Sequence, residues 1–190
     1  MFFKKKDKNV KEQLGELGIK VDELAPLKSD KMPPPISELL EKYDREREIL
    51  ENNPNTTDIN VIELSFLANG LDFIDWAKAN FKVELTLAER DIDIVEHMAE
   101  RAHMAYTSGQ LAEEGLPEFA KTFAGYVGLL VLIHKGGNWV KETKAFEGLG
   151  PAIEQNSGKA HFVYSRAFHR IKEGSEHNLV HYYKAIDYSE

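Results

Sequence analysis

The longest run of apolar residues, 123–133, lies inside the segment LPEFAKTFAGYVGLLVLIHKGGNWV. A helix that is apolar on every side is buried on every side. Pro117 suits the first turn of such a helix, where no N–H is needed. Gly136 and Gly137 suit its end, since Gly adopts the left-handed conformation readily. We therefore predict a buried central helix around which the core forms. A bilayer span takes about 20 apolar residues, so we expect no membrane span.

The residues after this helix predict a small β element. Residues 139–143 are strand-like, residues 152–155 are expected to pair back on them, and Asn156-Ser157-Gly158 is typical of a turn. Within the helix itself, Gly125 and Gly128 each lower helix stability by about 1 kcal/mol relative to Ala. Close approach of another element would compensate, so we expect one at each glycine.

Periodic apolar positions upstream predict three helical regions. The first, over 38–52, is expected to be capped by Ser37, and the second, over 61–81, to be interrupted by Gly70. The third begins at the sequence Thr86-Leu-Ala-Glu89, which matches a capping box, and carries one apolar stripe to Tyr106. Asp91 and Asp93 diverge around this helix and are expected to face solvent.

Two more helices are predicted downstream, over 162–171 and from 175 onward. Gly174 separates them, and Ser175 is expected to cap the last one. The whole pattern predicts an α+β fold that is mainly helical, with a small antiparallel β element after the central helix. Residues 1–35, which are charged and end in three prolines, are expected to form a peripheral arm, and residues 36–190 a single globular domain.

Composition narrows the function classes. The net charge is −8 and the pI about 5.4, which argues against binding to nucleic acid, because phosphates require a basic surface. The chain contains no cysteine, so thiol nucleophiles and Cys-ligated metals are excluded. The absence of cysteine and of an apolar N-terminal signal fits a cytoplasmic protein.

Metal-binding patterns are incomplete. Glu100-Arg-Ala-His103 has the Glu-x-x-His form of di-iron bundles, but no second copy exists, and His97 points away from the apolar stripe. His177 and His181 are four residues apart and are expected to be a surface pair. His169 is near in sequence, but the sequence gives no reason to select it as a third ligand. We therefore expect no metal and no cofactor. No nucleophile elbow, phosphate-binding loop or dinucleotide fingerprint occurs, so no catalytic residue is assigned.

Three residues are the candidates for binding. His134 ends the central helix, where it is expected to be a helix-end group at the negative end of the dipole. A functional role beside Trp139 at the turn is the alternative. Trp139 itself is expected to pack back on the core, or else to line a pocket with nearby aromatic residues. His169 is the other histidine that a hydrolase mechanism could use.

Three segments, GYVGLLVLIHKGGNWV, GPAIEQNSGK and FHRIKEGSEHNLVHYYKAI, resemble a group of small, uncharacterised bacterial proteins. Those proteins share a Gly-Tyr-x-Gly helix that leads through a Gly-Gly-x-Trp turn into a short β element. The resemblance covers about residues 70–187 and rests on structural motifs, so it supplies no catalytic residues. Some similar proteins occur near contact-dependent or secreted toxins, which implies an immunity-like role.

The leading hypothesis is a non-enzymatic cytoplasmic protein that binds a protein partner through an acidic surface. Charge complementarity with a basic partner raises the rate of association. A small-molecule-binding domain and a histidine-dependent hydrolase are the alternatives. The oligomeric state is left open.

Overall fold

A computed structural model describes residues 34–143 and 149–187 of the chain. Within that part, the chain forms six α-helices and one three-stranded antiparallel sheet, which confirms the predicted α+β fold. The predicted arm, residues 1–35, lies outside the described residues apart from its last two prolines. The elements in chain order are α1 (Ile36–Asn52), α2 (Val61–Phe81), α3 (Asp91–Thr107), α4 (Leu116–His134), β1 (Asn138–Val140), β2 (Ala152–Glu154), β3 (Ala160–His161), α5 (Val163–Glu173) and α6 (Leu179–Lys184).

Helix α4 is the centre of the core, as predicted. It packs most extensively against α2 and α5, and most of its residues are buried. Among the described residues, the segment Glu113–His134 is long and apolar enough to cross a membrane, with a mean hydropathy of 1.4. However, 72% of its most apolar window is buried inside the protein. The core helix of a soluble protein passes the same test, so this is weak evidence for a membrane span.

Glycines bring α2 and α4 into backbone contact. A Cβ atom added to Gly125 would lie 2.4 Å from the nitrogen of Gly70 and 2.6 Å from the carbonyl oxygen of Phe66. The helix α2 continues through Gly70, so the predicted interruption there is wrong. Gly70 instead allows the backbones of α2 and α4 to come close where the two helices cross. The expected close approach is confirmed at Gly125. It is also confirmed at Gly128, where an added Cβ would lie 2.5 Å from the ring of Trp139.

We expect Gly125→Ala to lower the free energy of unfolding by about 1–3 kcal/mol, despite the better helix propensity of Ala, because the added methyl group must push two backbones apart. Chemical denaturation measures the change. Gly115→Ala is the matched control, since its nearest neighbour would be a side-chain carbon of Leu111 at 3.7 Å. Equal stability of the two variants would contradict the tight crossing.

The start of α3 differs from the prediction. The helix begins at Asp91 and no capping box forms at Thr86. Instead the backbone N–H of Thr86 donates to Asp91 Oδ2 at 2.7 Å. Asp91 is only 2% exposed, so the expectation that it faces solvent is wrong. The carboxylate is retained inside because buried N–H and O–H groups donate to it.

Two other predicted caps are also wrong. Ser37 lies inside the first turn of α1, which begins one residue earlier and has Pro35 at its N-cap without a side-chain hydrogen bond. Ser175 begins a short 3-10 helix, and α6 is capped by Asn178, whose Oδ1 accepts from the N–H of His181 at 2.9 Å. Gly174 ends α5 with a φ of +100°, as the sequence predicted it would end there.

The double glycine ends α4 as predicted, with φ angles of +81° at Gly136 and +112° at Gly137. Strand β1 then pairs antiparallel with β2, and Trp139 lies opposite Ile153 in the register. The turn at 156–158 is confirmed by the hydrogen bond from the N–H of Gly158 to the carbonyl of Gln155. This turn leads into β3, a two-residue strand that the sequence did not predict.

Candidate functional site

His134 is the last residue of α4 and is buried, with its Nε2 atom 2.8 Å from the carbonyl oxygen of Leu87. A carbonyl only accepts, so Nε2 carries the proton. Leu87 has a φ of +61°, a conformation that costs an apolar residue about 1 kcal/mol or more. The hydrogen bond to His134 therefore helps to hold a strained loop. His134 is at the helix end, as expected, but it is fully enclosed.

The same loop is held from a second side by Tyr126 and Asp91. The hydroxyl of Tyr126 donates to Asp91 Oδ2 at 2.6 Å and accepts the N–H of Leu87 at 3.1 Å. Burial, and then the charge and hydrogen bond of Asp91, raise the pKa of Tyr126 well above its usual value. Tyr126 is thus kept protonated as a donor. Sequence patterns missed this contact because Tyr126 falls within an apolar run.

A buried ion pair continues this network at the turn. Lys135 Nζ lies 3.3 Å from Glu89 Oε1, both side chains are about 5% exposed, and the ammonium group lies 5.0 Å from the ring centre of Tyr183. Gln155 adds a hydrogen bond from its Nε2 to the carbonyl of Asp187 at 2.7 Å. These groups bind one another. The network therefore joins the loop that contains Leu87, the turn after α4 and the segment around Asp187.

Trp139 is 2% exposed and stacks on Phe66, with ring centres 3.9 Å apart and planes within 3°. Its carbonyl oxygen accepts from the side-chain amide of Asn60 at 2.7 Å. The expected packing on the core is confirmed. A ring that is 2% exposed and has one face stacked on Phe66 presents no open face to a ligand.

The Glu-x-x-His motif on α3 binds α5. Glu100 accepts from Arg170 Nη2 at 2.5 Å, and Nδ1 of His103 donates to the carbonyl of Ile171 at 2.9 Å. His97 is exposed, as expected. The two groups of the motif therefore connect helices and do not converge on a common point.

Arg170 was not identified from the sequence and is the largest fully buried side chain in the described part of the chain. Its Nε atom donates to Glu96 Oε1 at 2.8 Å, and the second carboxylate oxygen of Glu96 accepts the N–H of Leu179 at 2.7 Å. This group joins α3, α5 and the start of α6. Arg170 lies within the helix predicted over 162–171, and a charged residue there gives no sign of burial in the sequence alone.

His169, the third predicted candidate, lies in a partly exposed cluster that the sequence did not reveal. Its Nδ1 atom is 2.8 Å from Glu173 Oε1, and His177 Nε2 is 2.7 Å from Glu173 Oε2. The hydrogen bond from His169, supported by that from His177, lowers the pKa of Glu173. His177 is therefore grouped with His169, whereas the sequence suggested a pair with His181. We refer to His169, Glu173 and His177 as the histidine cluster.

Charge is distributed unevenly along the chain. Residues 34–118 contain 19 acidic and 7 basic residues, a net charge of −12 against −8 for the whole chain. On α1 the residues Glu41, Asp44, Glu48 and Glu51 are spaced by three or four, so they share one side of the helix, and all four are exposed. We refer to these four residues as the acidic stripe.

The chain was compared with known protein families, curated proteins and solved structures. No match to this chain was found among protein-family models, curated proteins or solved structures.

Proposed function

We propose that this chain is a non-enzymatic cytoplasmic protein that binds a partner protein with a basic surface. The acidic stripe on α1 is the observation that carries the proposal. An immunity-like role, in which the partner is a basic toxin, is the specific form that the sequence resemblance implies.

All four residues of the acidic stripe are exposed in the part of the chain that the structure describes. Within the described residues, Glu51 pairs with Arg47 at 3.6 Å, whereas Glu41, Asp44 and Glu48 form no ion pair. Carboxylates arranged in one row produce a negative potential that attracts a basic surface and accelerates encounter.

Helix α1 has the position of an interaction element. None of its residues is fully buried, and its apolar side, which includes Ile36, Leu39, Tyr43 and Leu50, is partly buried against the core. The acidic stripe lies on the other side of the helix and points away from the core. A partner can therefore contact the stripe without any rearrangement of the fold.

The alternative functions receive less support from the residues that suggested them. A hydrolase would need an accessible histidine beside a nucleophile, and His134 is enclosed and donates to a backbone carbonyl. A ligand pocket lined by Trp139 would need an open ring face, and that ring is covered. His169 is accessible, but its polar neighbours are Glu173 and His177.

The proposal predicts that neutralising the stripe reduces capture of the partner. A variant with Glu41→Gln, Asp44→Asn and Glu48→Gln should recover the partner from a host lysate several-fold less efficiently than the wild type. The physical reason is that surface charges set the association rate and its salt dependence. Quantitative mass spectrometry of proteins retained at low and at physiological salt measures the difference.

The matched control neutralises three exposed carboxylates elsewhere, Glu114→Gln, Glu142→Gln and Glu176→Gln, and carries the same net charge. It should capture the partner like the wild type. If both variants lose the partner equally, only net charge matters and the stripe is not the binding surface. If neither loses it, the proposed surface is wrong.

A further inference from the structure

The histidine cluster has the donor atoms of a transition-metal site. His169 and Glu173 are four residues apart on α5 and so lie on one side of the helix. Gly174, with a φ of +100°, turns the chain so that the short 3-10 helix Ser175–His177 places His177 beside Glu173. One ligand atom from each of the three side chains lies within 4.8 Å of the other two.

The two histidine–carboxylate donor distances are close to those that a metal ion requires. Tetrahedral Zn²⁺ holds imidazole nitrogen and carboxylate oxygen at about 2.0–2.2 Å, which sets the donors about 3.3 Å apart. The two histidine–carboxylate distances of 2.8 Å and 2.7 Å therefore need to lengthen by about half an ångström. The side chains of His169 and Glu173 are 40% and 47% exposed, so small rotations can supply this change.

Arg166 opposes metal binding in the arrangement observed. Its Nη1 atom lies 3.3 Å from His177 Nδ1, and because arginine only donates, Nδ1 must accept and Nε2 must carry the proton. A metal on Nε2 would require that proton on Nδ1, which could then no longer accept from Arg166. The guanidinium group also lies 5.0 Å from the ring centre of Tyr182, a contact that it can retain when it leaves His177.

We propose that His169, Glu173 and His177 bind one divalent transition-metal ion, with Zn²⁺ as the best-matched ion. Nδ1 of His169, a carboxylate oxygen of Glu173 and Nε2 of His177 are the three protein ligands. Two imidazoles and one carboxylate suit Zn²⁺, which in three-ligand sites takes water or another group in the fourth position. The proposal replaces the expectation of no metal from the sequence. That expectation rested on His177 being paired with His181, without Glu173 as a ligand.

The test is titration of untagged, metal-free protein with Zn²⁺ alone, by calorimetry and by competition with a chromophoric chelator. The wild type should bind one ion per chain at this site. His169→Ala, His177→Ala and Glu173→Gln should each weaken binding by at least about tenfold, since even loss of a group that supports a metal ligand has an effect of that size. His181→Ala should bind like the wild type.

Arg166→Gln provides an independent variant that retains all three ligands. It removes a positive charge close to the metal and the donor that competes for His177, so binding should tighten by roughly fivefold. Circular dichroism of each variant should show an unchanged fold, because the substituted side chains are not buried. Absence of saturable Zn²⁺ binding in the wild type, or binding as tight as that of the wild type in His169→Ala or His177→Ala, would overturn the proposal.

Discussion

Trp139→Ala is expected to lower the free energy of unfolding by about 3–5 kcal/mol, the usual effect of truncating a buried aromatic residue. The indole ring fills the space between Phe66 on α2 and Gly128 on α4, so its removal leaves a cavity where strand β1 meets two helices. That loss is a large share of the roughly 5–15 kcal/mol that stabilises a typical domain.

Denaturation in urea, followed by far-UV circular dichroism, measures this change, and Trp76 remains as a fluorescent reporter. Asn138→Ala is the control in the same strand, because Asn138 is exposed. We expect the control to stay within about 0.5 kcal/mol of the wild type. Wild-type stability of Trp139→Ala would show that the ring does not hold the turn in place and would reopen a binding role for it.

The local features of this turn could be predicted because each has a short-range cause. An apolar run must be buried, two adjacent glycines permit positive φ, and a bulky aromatic residue nearby must find a place in the core. All three causes lie within residues 123–139, so the chain order alone brings them together. The paired strands after the turn followed from the same reasoning.

The buried polar contacts could not be predicted, because they join distant parts of the chain. Asp91 and Tyr126 are 35 residues apart, and His134 binds a carbonyl 47 residues away. Helical periodicity assigns charged residues to the solvent side, so Asp91 was placed on the surface. The sequence contains no information on the strained backbone at Leu87, which depends on these contacts.

The candidate site was predicted only in part for the same reason. His169 was selected from the sequence, but its grouping with Glu173 and His177 depends on the backbone conformation at Gly174. Spacing of four along a regular helix suggested His177 with His181. The break at Gly174 and the new helix start at Asn178 place these residues in different elements.

Arg170 provides the second large expected effect, since it is 1% exposed and bound to Glu96 and Glu100. Removing one partner of a buried ion pair typically lowers stability by about 3–5 kcal/mol, because the remaining charge is left without compensation. In Arg170→Met that charge is on Glu96, whose side chain is only 13% exposed. Glu100 is 47% exposed and can be solvated by water.

An unsatisfied nitrogen atom of Arg170 makes the expected loss of stability in Arg170→Met smaller. The Nη1 atom of Arg170 is buried and has no hydrogen-bond partner within the described residues, a defect that costs about 1–3 kcal/mol and disappears in the variant. We therefore expect a net loss of about 2 kcal/mol, measured by chemical denaturation. Arg45→Met, at an exposed position on α1, should stay within about 0.5 kcal/mol of the wild type.

The double variant Arg170→Met with Glu96→Gln distinguishes a stranded charge from lost packing. Gln at position 96 removes the charge and retains an oxygen that can accept the N–H of Leu179. If the stranded carboxylate causes the loss, the double variant should be more stable than Arg170→Met alone. If Glu96→Gln gives no recovery, the loss arises from the packing of the arginine side chain between α3 and α5. A stability of Arg170→Met equal to that of Arg45→Met would show that the network contributes nothing to holding these helices together.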